Sequence, residues 1–205
     1  MVYHFFIESK NNATPECVFL KKYINRVRPD LIYEVTPMNG IGNLFREPNK
    51  TMMRLHSDKR EKNVVIVDAD FPSNEGGFAS RRKFITDTAK EEDLLFDFFL
   101  FPNNADDGIF ENLLESIARK DKHNLFFECY DDYEHCVKSQ KDSNGNPVYQ
   151  VPNLKGKLHT YINAVPMDKK YRKLLGSGDW QFENGDYWDL DNVYLNPLKT
   201  FLMSL

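Results

Sequence analysis

The chain has 205 residues, a formal net charge of −4, 41% hydrophobic residues and 14% aromatic residues. That length and composition suit one packed domain with an elaborated end, and they exclude a disordered chain. The acidic balance excludes a bulk polyanion binder, so any nucleic-acid contact must come from a local basic patch or from a metal ion. Three cysteines, Cys17, Cys129 and Cys136, are an odd number without metal-site spacing. They point to reduced thiols in a cytoplasmic protein rather than to a disulfide framework. No stretch approaches the roughly 18 apolar residues that a membrane span needs. The opening VYHFFIE is too short and ends too soon in an acid to be a signal peptide.

Taken in order, Val2 to Ile7 is a short apolar run with aromatics and predicts a buried strand that ends at Glu8. The polar SKNNATP follows, with Thr14 placed as N-cap and Pro15 at the first helical position. Val18, Leu20, Tyr23, Ile24 and Val27 give a helical apolar face that stops before Pro29. Leu31 to Thr36 predicts a second strand, and Pro37 to Gly42 a turn. Asn43 to Lys62 is expected to be partly helical and broken near Pro48.

Asn63 to Pro72 reads NVVIVDADFP and is the centre of the chain. Val64 to Val67 show no polar alternation, which predicts a strand buried on both faces. Alternation along such a strand sets Asp68 and Asp70 on one side, about 6.6 Å apart. Two carboxylates there repel each other unless a cation lies between them. Hard divalent ions such as Mg²⁺ or Mn²⁺ take such oxygens, and the carboxyl ends of buried strands are where open α/β sheets hold ligands. The bland alternative is a strand followed by an acidic turn, with Asp70 capping a neighbouring element.

Beyond it lies the glycine-bearing FPSNEGGFAS, and Arg81, Arg82 and Lys83 are expected to open a helix that runs to about Glu91. This basic run is a candidate for contacting nucleic-acid phosphates, although charge runs also make ordinary solvated faces. Leu94 to Phe101 predicts a fourth strand. In the following PNNADDGIFENLLESIARK, Asp106 or Asp107 is expected to cap a helix carrying Phe110, Leu113, Leu114 and Ile117 inward. Strands alternating with helices predict an α/β fold, a mostly parallel central sheet with helices on both faces. The rest is less regular: a helical end to Phe126–Lys138, a polar loop over 139–153, and a short helix over Leu154–Ala164 with Lys155, Lys157 and His159. Gly176 to Trp188 is turn-rich, and Val193 to Leu205 forms a closing apolar helix. Trp180, Tyr187 and Trp188 are read as core or lid, with base stacking as the lesser role. The five scattered histidines are not expected to ligate.

In a parallel sheet the acids Glu8, Asp68, Asp70 and Glu111 can converge on one edge, although far apart in the chain. Such a set can cage one or two divalent ions, which stabilise the attacking and leaving oxygens of phosphoryl transfer. The order strand–Glu8, helix, strand, helix, VVIVDAD, helix, strand resembles the Toprim domain of topoisomerases, primases and the overcoming-lysogenization-defect nucleases. FLFPNNADDGIFENLLESI resembles more closely a group of uncharacterised bacterial Toprim relatives. The resemblance spans about the first 120 residues. It implies a Rossmann-like Toprim domain over residues 1–125 and a C-terminal helical extension over residues 126–205 packed on it. It places Glu8 on the Toprim glutamate, Asp68 and Asp70 on its Asp pair, and Glu111 on the acid of the helix after the fourth strand. All four are thereby implied as Mg²⁺ (or Mn²⁺) ligands, with Glu8 also a proton carrier. Lys157 is placed on the lysine near the metals of the nuclease branch, with Lys155 as its competitor. Ser9 stands where these domains usually have glycine, and Asn12 or Glu16 where a further acid is common.

The function implied is Mg²⁺-dependent action on nucleic-acid phosphodiesters, as a nuclease, with nucleic acid and an ATPase protein as partners. No tyrosine-bearing second domain suggests a topoisomerase, and no template-handling domain a primase. Two rivals stand beside it. A DxD after a buried strand also marks nucleotide-sugar glycosyltransferases, which leaves Glu8 and Glu111 unused. An inactive Toprim fold that only binds would suit the acidity and Ser9. A haloacid-dehalogenase phosphatase is disfavoured by Phe71 and Pro72 after Asp70.

Overall fold

Four short β segments provide the frame. The computed structural model describes residues 1–205, and it places β1 (Val2–Ile7), β2 (Ile32–Pro37), β3 (Lys62–Asp68) and β4 (Asp97–Phe101) in one sheet of order β2-β1-β3-β4. Every pairing is parallel, with Phe5 beside Val35 and Val64, and Val65 beside Phe98. All four strands therefore end at one edge, at Ile7, Pro37, Asp68 and Phe101. This is an α/β, Rossmann-like fold with C-terminal helices.

Parity along the strands divides the core in two. Phe5, Ile7, Val64, Ile66, Phe99 and Phe101 face one apolar layer. It is filled by α1 (Pro15–Val27), α4 (Phe110–Ile117), α6 (Leu154–Ala164) and α8 (Asn196–Ser204). Phe6, Val65, Val67 and Leu100 face the other layer, covered by α2 (Asn49–Asp58) and α3 (Phe78–Glu91). Continuous apolar runs are thus the consequence of helices on both faces. α1 starts as expected, with Pro15 first and the Thr14 hydroxyl accepting from the Cys17 amide at 3.5 Å.

Several expectations are corrected. β4 begins at Asp97, so Leu94, Leu95 and Phe96 precede it as a connection. α3 opens at Phe78, three residues before the basic run. Neither Asp106 nor Asp107 caps α4. Asp107 Oδ1 instead accepts the Phe78 amide of α3 at 2.6 Å, and Asp106 accepts from the Asn103 side chain. Helix α5 (Asn124–Ser139) is helical throughout, not only at its end. The closing segment starts as a 3-10 turn over Val193–Leu195 before α8.

The segment after residue 125 shares the core of the first. Leu158, Tyr161, Ile162, Trp180, Phe182, Trp188, Leu198 and Leu202 are buried in the same layer as Phe5 and Val64. α7 (Lys169–Arg172) is a single turn on the surface side of this layer. Trp180, Tyr187 and Trp188 are core residues. The Trp188 indole donates to the Trp180 carbonyl at 2.8 Å, and the Tyr187 hydroxyl to the Pro166 carbonyl. No helix is long and apolar enough to cross a membrane.

Because one layer holds both segments, they must unfold together. Leu202→Ala removes a fully buried side chain from α8. The expected cost is about 2–5 kcal/mol. Urea denaturation followed by fluorescence and by far-UV circular dichroism should show one coincident, shifted transition.

Candidate metal centre

The common strand edge gathers the acids. Glu8 leaves the end of β1, and its carboxylate accepts the Ile41 amide at 2.9 Å and the Asp68 amide at 3.2 Å. It therefore reaches across the edge from β1 to β3 and also fastens the turn that follows β2. Burial raises the Glu8 carboxyl above its ordinary range against these two amides, with the Asp70 charge adding to the rise and Arg81 opposing it.

Asp68 is the last residue of β3, on the α4 side with Val64 and Ile66. Its Oδ1 accepts the Phe110 amide at 2.8 Å, at the first residue of α4. So Asp68 satisfies a helix N-terminus that Asp106 or Asp107 was expected to serve. Burial, then the charges of Glu8 and Glu111, push its carboxyl well above the usual carboxylate range despite that hydrogen bond. Glu111, in the first turn of α4, is buried at 6% exposure and meets the Lys155 ammonium at 3.1 Å.

Asp70 departs from the expected geometry. β3 ends at Asp68, and Asp70 has φ +60°, so strand alternation no longer sets its direction. Its backbone pairs antiparallel with Gly108, N–H to O at 2.8 Å and 2.9 Å in the two directions. Its Oδ2 accepts from Arg81 Nη2 at 2.6 Å. The glycine-bearing loop packs directly on this bend. A side chain at Gly76 would strike the Asp70 Cβ and lie 2.9 Å from the Ala69 carbonyl oxygen. That close approach explains the glycine.

The candidate cations are placed unevenly. Arg81 turns inward onto Asp70. Arg82 lies over the rings of Phe98 and Phe78, and Lys83 pairs with Asp87 along the helix. Lys157 stands away from the acids: it pairs with Asp131 at 3.0 Å and Glu115 at 3.5 Å and lies against Phe127 and Tyr130. Its competitor Lys155 is the lysine beside Glu111, and it also meets Glu16 at 3.3 Å. Burial alone would lower the Lys155 ammonium, but Glu111 and Glu16 outweigh it and hold it above its ordinary value. Of the two residues considered for the further acid, Glu16 thus adjoins the group, whereas Asn12 is exposed and accepts from Lys21. Glu16 Oε2 is buried without a partner. Ser9 is buried, and its hydroxyl ties the loop by bonding the Asn11 carbonyl and the Thr14 hydroxyl.

No group of three or more His, Cys, Asp or Glu side chains stands in ready metal-ligating geometry. The acids are held by amides and by two side-chain cations. Their chemistry still fits a hard divalent ion: the donors are all carboxylate oxygens, and the ionised form of Asp68 is opposed by burial and by three neighbouring acids, Glu8, Glu111 and Asp70. A cation would relieve that opposition. Other clefts lie elsewhere, including one of about 520 Å³ at the opposite sheet edge lined by Arg60, Glu61, Asn63 and Asp97.

Raised Asp68 and Glu8 carboxyls mean that the folded chain holds protons there that the unfolded chain has already lost. Their contribution to stability is complete below the ordinary carboxylate values, near pH 4. It is lost as pH rises through the raised folded values. Asp68→Asn keeps an acceptor for the Phe110 amide and removes the charge. In EDTA, its urea midpoint should exceed that of the wild type by a margin that widens from about pH 4 upward and then levels. A constant margin would count against charge crowding.

No family model matches the chain. Neither a curated protein nor a solved structure gives a significant match, so the reading of this centre stands on its own residues.

Proposed function

We propose that this protein is a Toprim-like, Mg²⁺- or Mn²⁺-dependent phosphodiesterase that cleaves nucleic acid in the cytoplasm. The observation that carries this reading is the gathering of Glu8, Asp68, Asp70 and Glu111 from separate segments onto one sheet edge, where Asp68 is charged only at a cost. These four residues are the proposed ligand set, with Glu8 and Asp68, which carry no side-chain cation, as its centre and Asp70 and Glu111 beside it. A divalent ion at such a site polarises a phosphoryl oxygen and lowers the pKa of bound water. Glu8, with its carboxyl raised, is suited to hold and move a proton. Lys155 stays charged beside Glu111 and is the ammonium nearest the acids, in the place first assigned to Lys157. Nucleic acid is the proposed partner, with an ATPase protein as a second.

A binding-only reading has one observation in its favour. Arg81 and Lys155 already pair with Asp70 and Glu111. The two readings separate in one assay. Labelled single- and double-stranded DNA and RNA are incubated with the full chain in Mg²⁺, Mn²⁺ or EDTA. Cleavage should appear only with metal, and Asp68→Ala and Asp70→Ala should each reduce it at least about a hundredfold. Cleavage that survives both substitutions would end the proposal. Nucleic-acid binding without cleavage, together with no heat of Mg²⁺ binding, would favour the binding-only protein.

A further inference from the structure

The Arg81–Asp70 pair is better anchored than a surface ion pair. Gly77 donates its amide to the Ala69 carbonyl at 2.9 Å, which fixes the entry to α3 against the end of β3. Asp107 fixes the same entry from the other side by accepting the Phe78 amide. Arg81 lies in the first turn of this held helix. Its side chain is only 12% exposed and that of Asp70 only 24%. Its charge acts on Glu8 as well as on Asp70. Its Nε is buried and has no hydrogen-bond partner. A guanidinium cannot lose its proton at any working pH, so this is a permanent positive charge built into the acid group.

We infer that Arg81 takes the place of a second metal ion, so that this centre binds one divalent cation rather than a pair. The inference rests on the metal-site reading proposed above. On the Asp70 flank, Oδ2 is occupied by the guanidinium, and a second ion against that carboxylate would lie beside a fixed like charge. On the other flank, Lys155 occupies Oε1 of Glu111. Glu8 and Asp68 have no side-chain cation bonded to them, and they adjoin through the Asp68 amide. A single ion belongs with them.

The test counts metal. Full-length protein is equilibrated with Mn²⁺, and bound metal is read by electron paramagnetic resonance and by calorimetric stoichiometry. The wild type should bind one equivalent. Arg81→Met keeps the apolar stem, removes the charge and should take up a second equivalent, whereas Arg81→Lys should stay at one. Two equivalents in the wild type, or one in a cooperatively folded Arg81→Met, would overturn the inference and leave the site reading standing. No bound Mn²⁺ in the wild type would overturn the site reading and this inference with it. Should Arg81→Met fail to fold, the wild-type count decides, one supporting and two overturning.

Discussion

Glu8 is where the edge of this sheet is joined. Its carboxylate receives one amide from the turn after β2 and one from the end of β3. A single side chain thereby couples three consecutive units of the fold, at the rim where parallel strands leave their last polar groups open. Asp68 repeats the device toward α4 by accepting the Phe110 amide. Backbone amides fixed by the fold stabilise a carboxylate with little reorganisation. They keep these acids in place even though burial and mutual repulsion work against their ionised forms.

The compensation is incomplete by design of the neighbourhood. Asp70 has Arg81 and Glu111 has Lys155, each at hydrogen-bond distance. Asp68 has an amide alone. Glu8, likewise, is met only by amides, so these two are the acids whose ionised forms the fold opposes most. Desolvation of this kind sets these carboxyls apart from a surface acidic patch, where solvent screens every member.

The C-terminal segment supplies a cation to the acid group as well as part of the core. α6 carries Lys155 to Glu111 and Glu16, and it is held there by Leu158, Tyr161 and Ile162 in the layer shared with α1 and α4. Phe19 of α1 packs against both Phe110 of α4 and Phe182 of the loop before α8 in that layer. The position of one ammonium at the strand edge is therefore decided by apolar packing some distance behind it. This ties the chemistry of the edge to the stability of the whole chain.

Much of the architecture was readable from residue order. Val64–Val67, Phe5–Ile7 and Phe99–Phe101 are continuous apolar runs because helices cover both faces of the sheet, and such runs announce buried parallel strands without any knowledge of their neighbours. Thr14–Pro15 marked the first helix for an equally local reason. Pairings between distant residues were hidden. Asp107 caps α3 from 29 positions away, and Asp70 turns with φ +60° to face Arg81. Lys155 and Lys157 differ by two positions on one helix, about 200° around its axis. Local pattern says that only one of them can face the acids, but which one depends on how α6 rolls against the core. Residue order thus set the strands, the layers and the list of acids, because these follow from hydrophobic period and chain direction. Which cation meets which acid, and which acid is left uncompensated, came only from folding, because those contacts are made between elements that hydrophobic packing, not proximity in the chain, brings together.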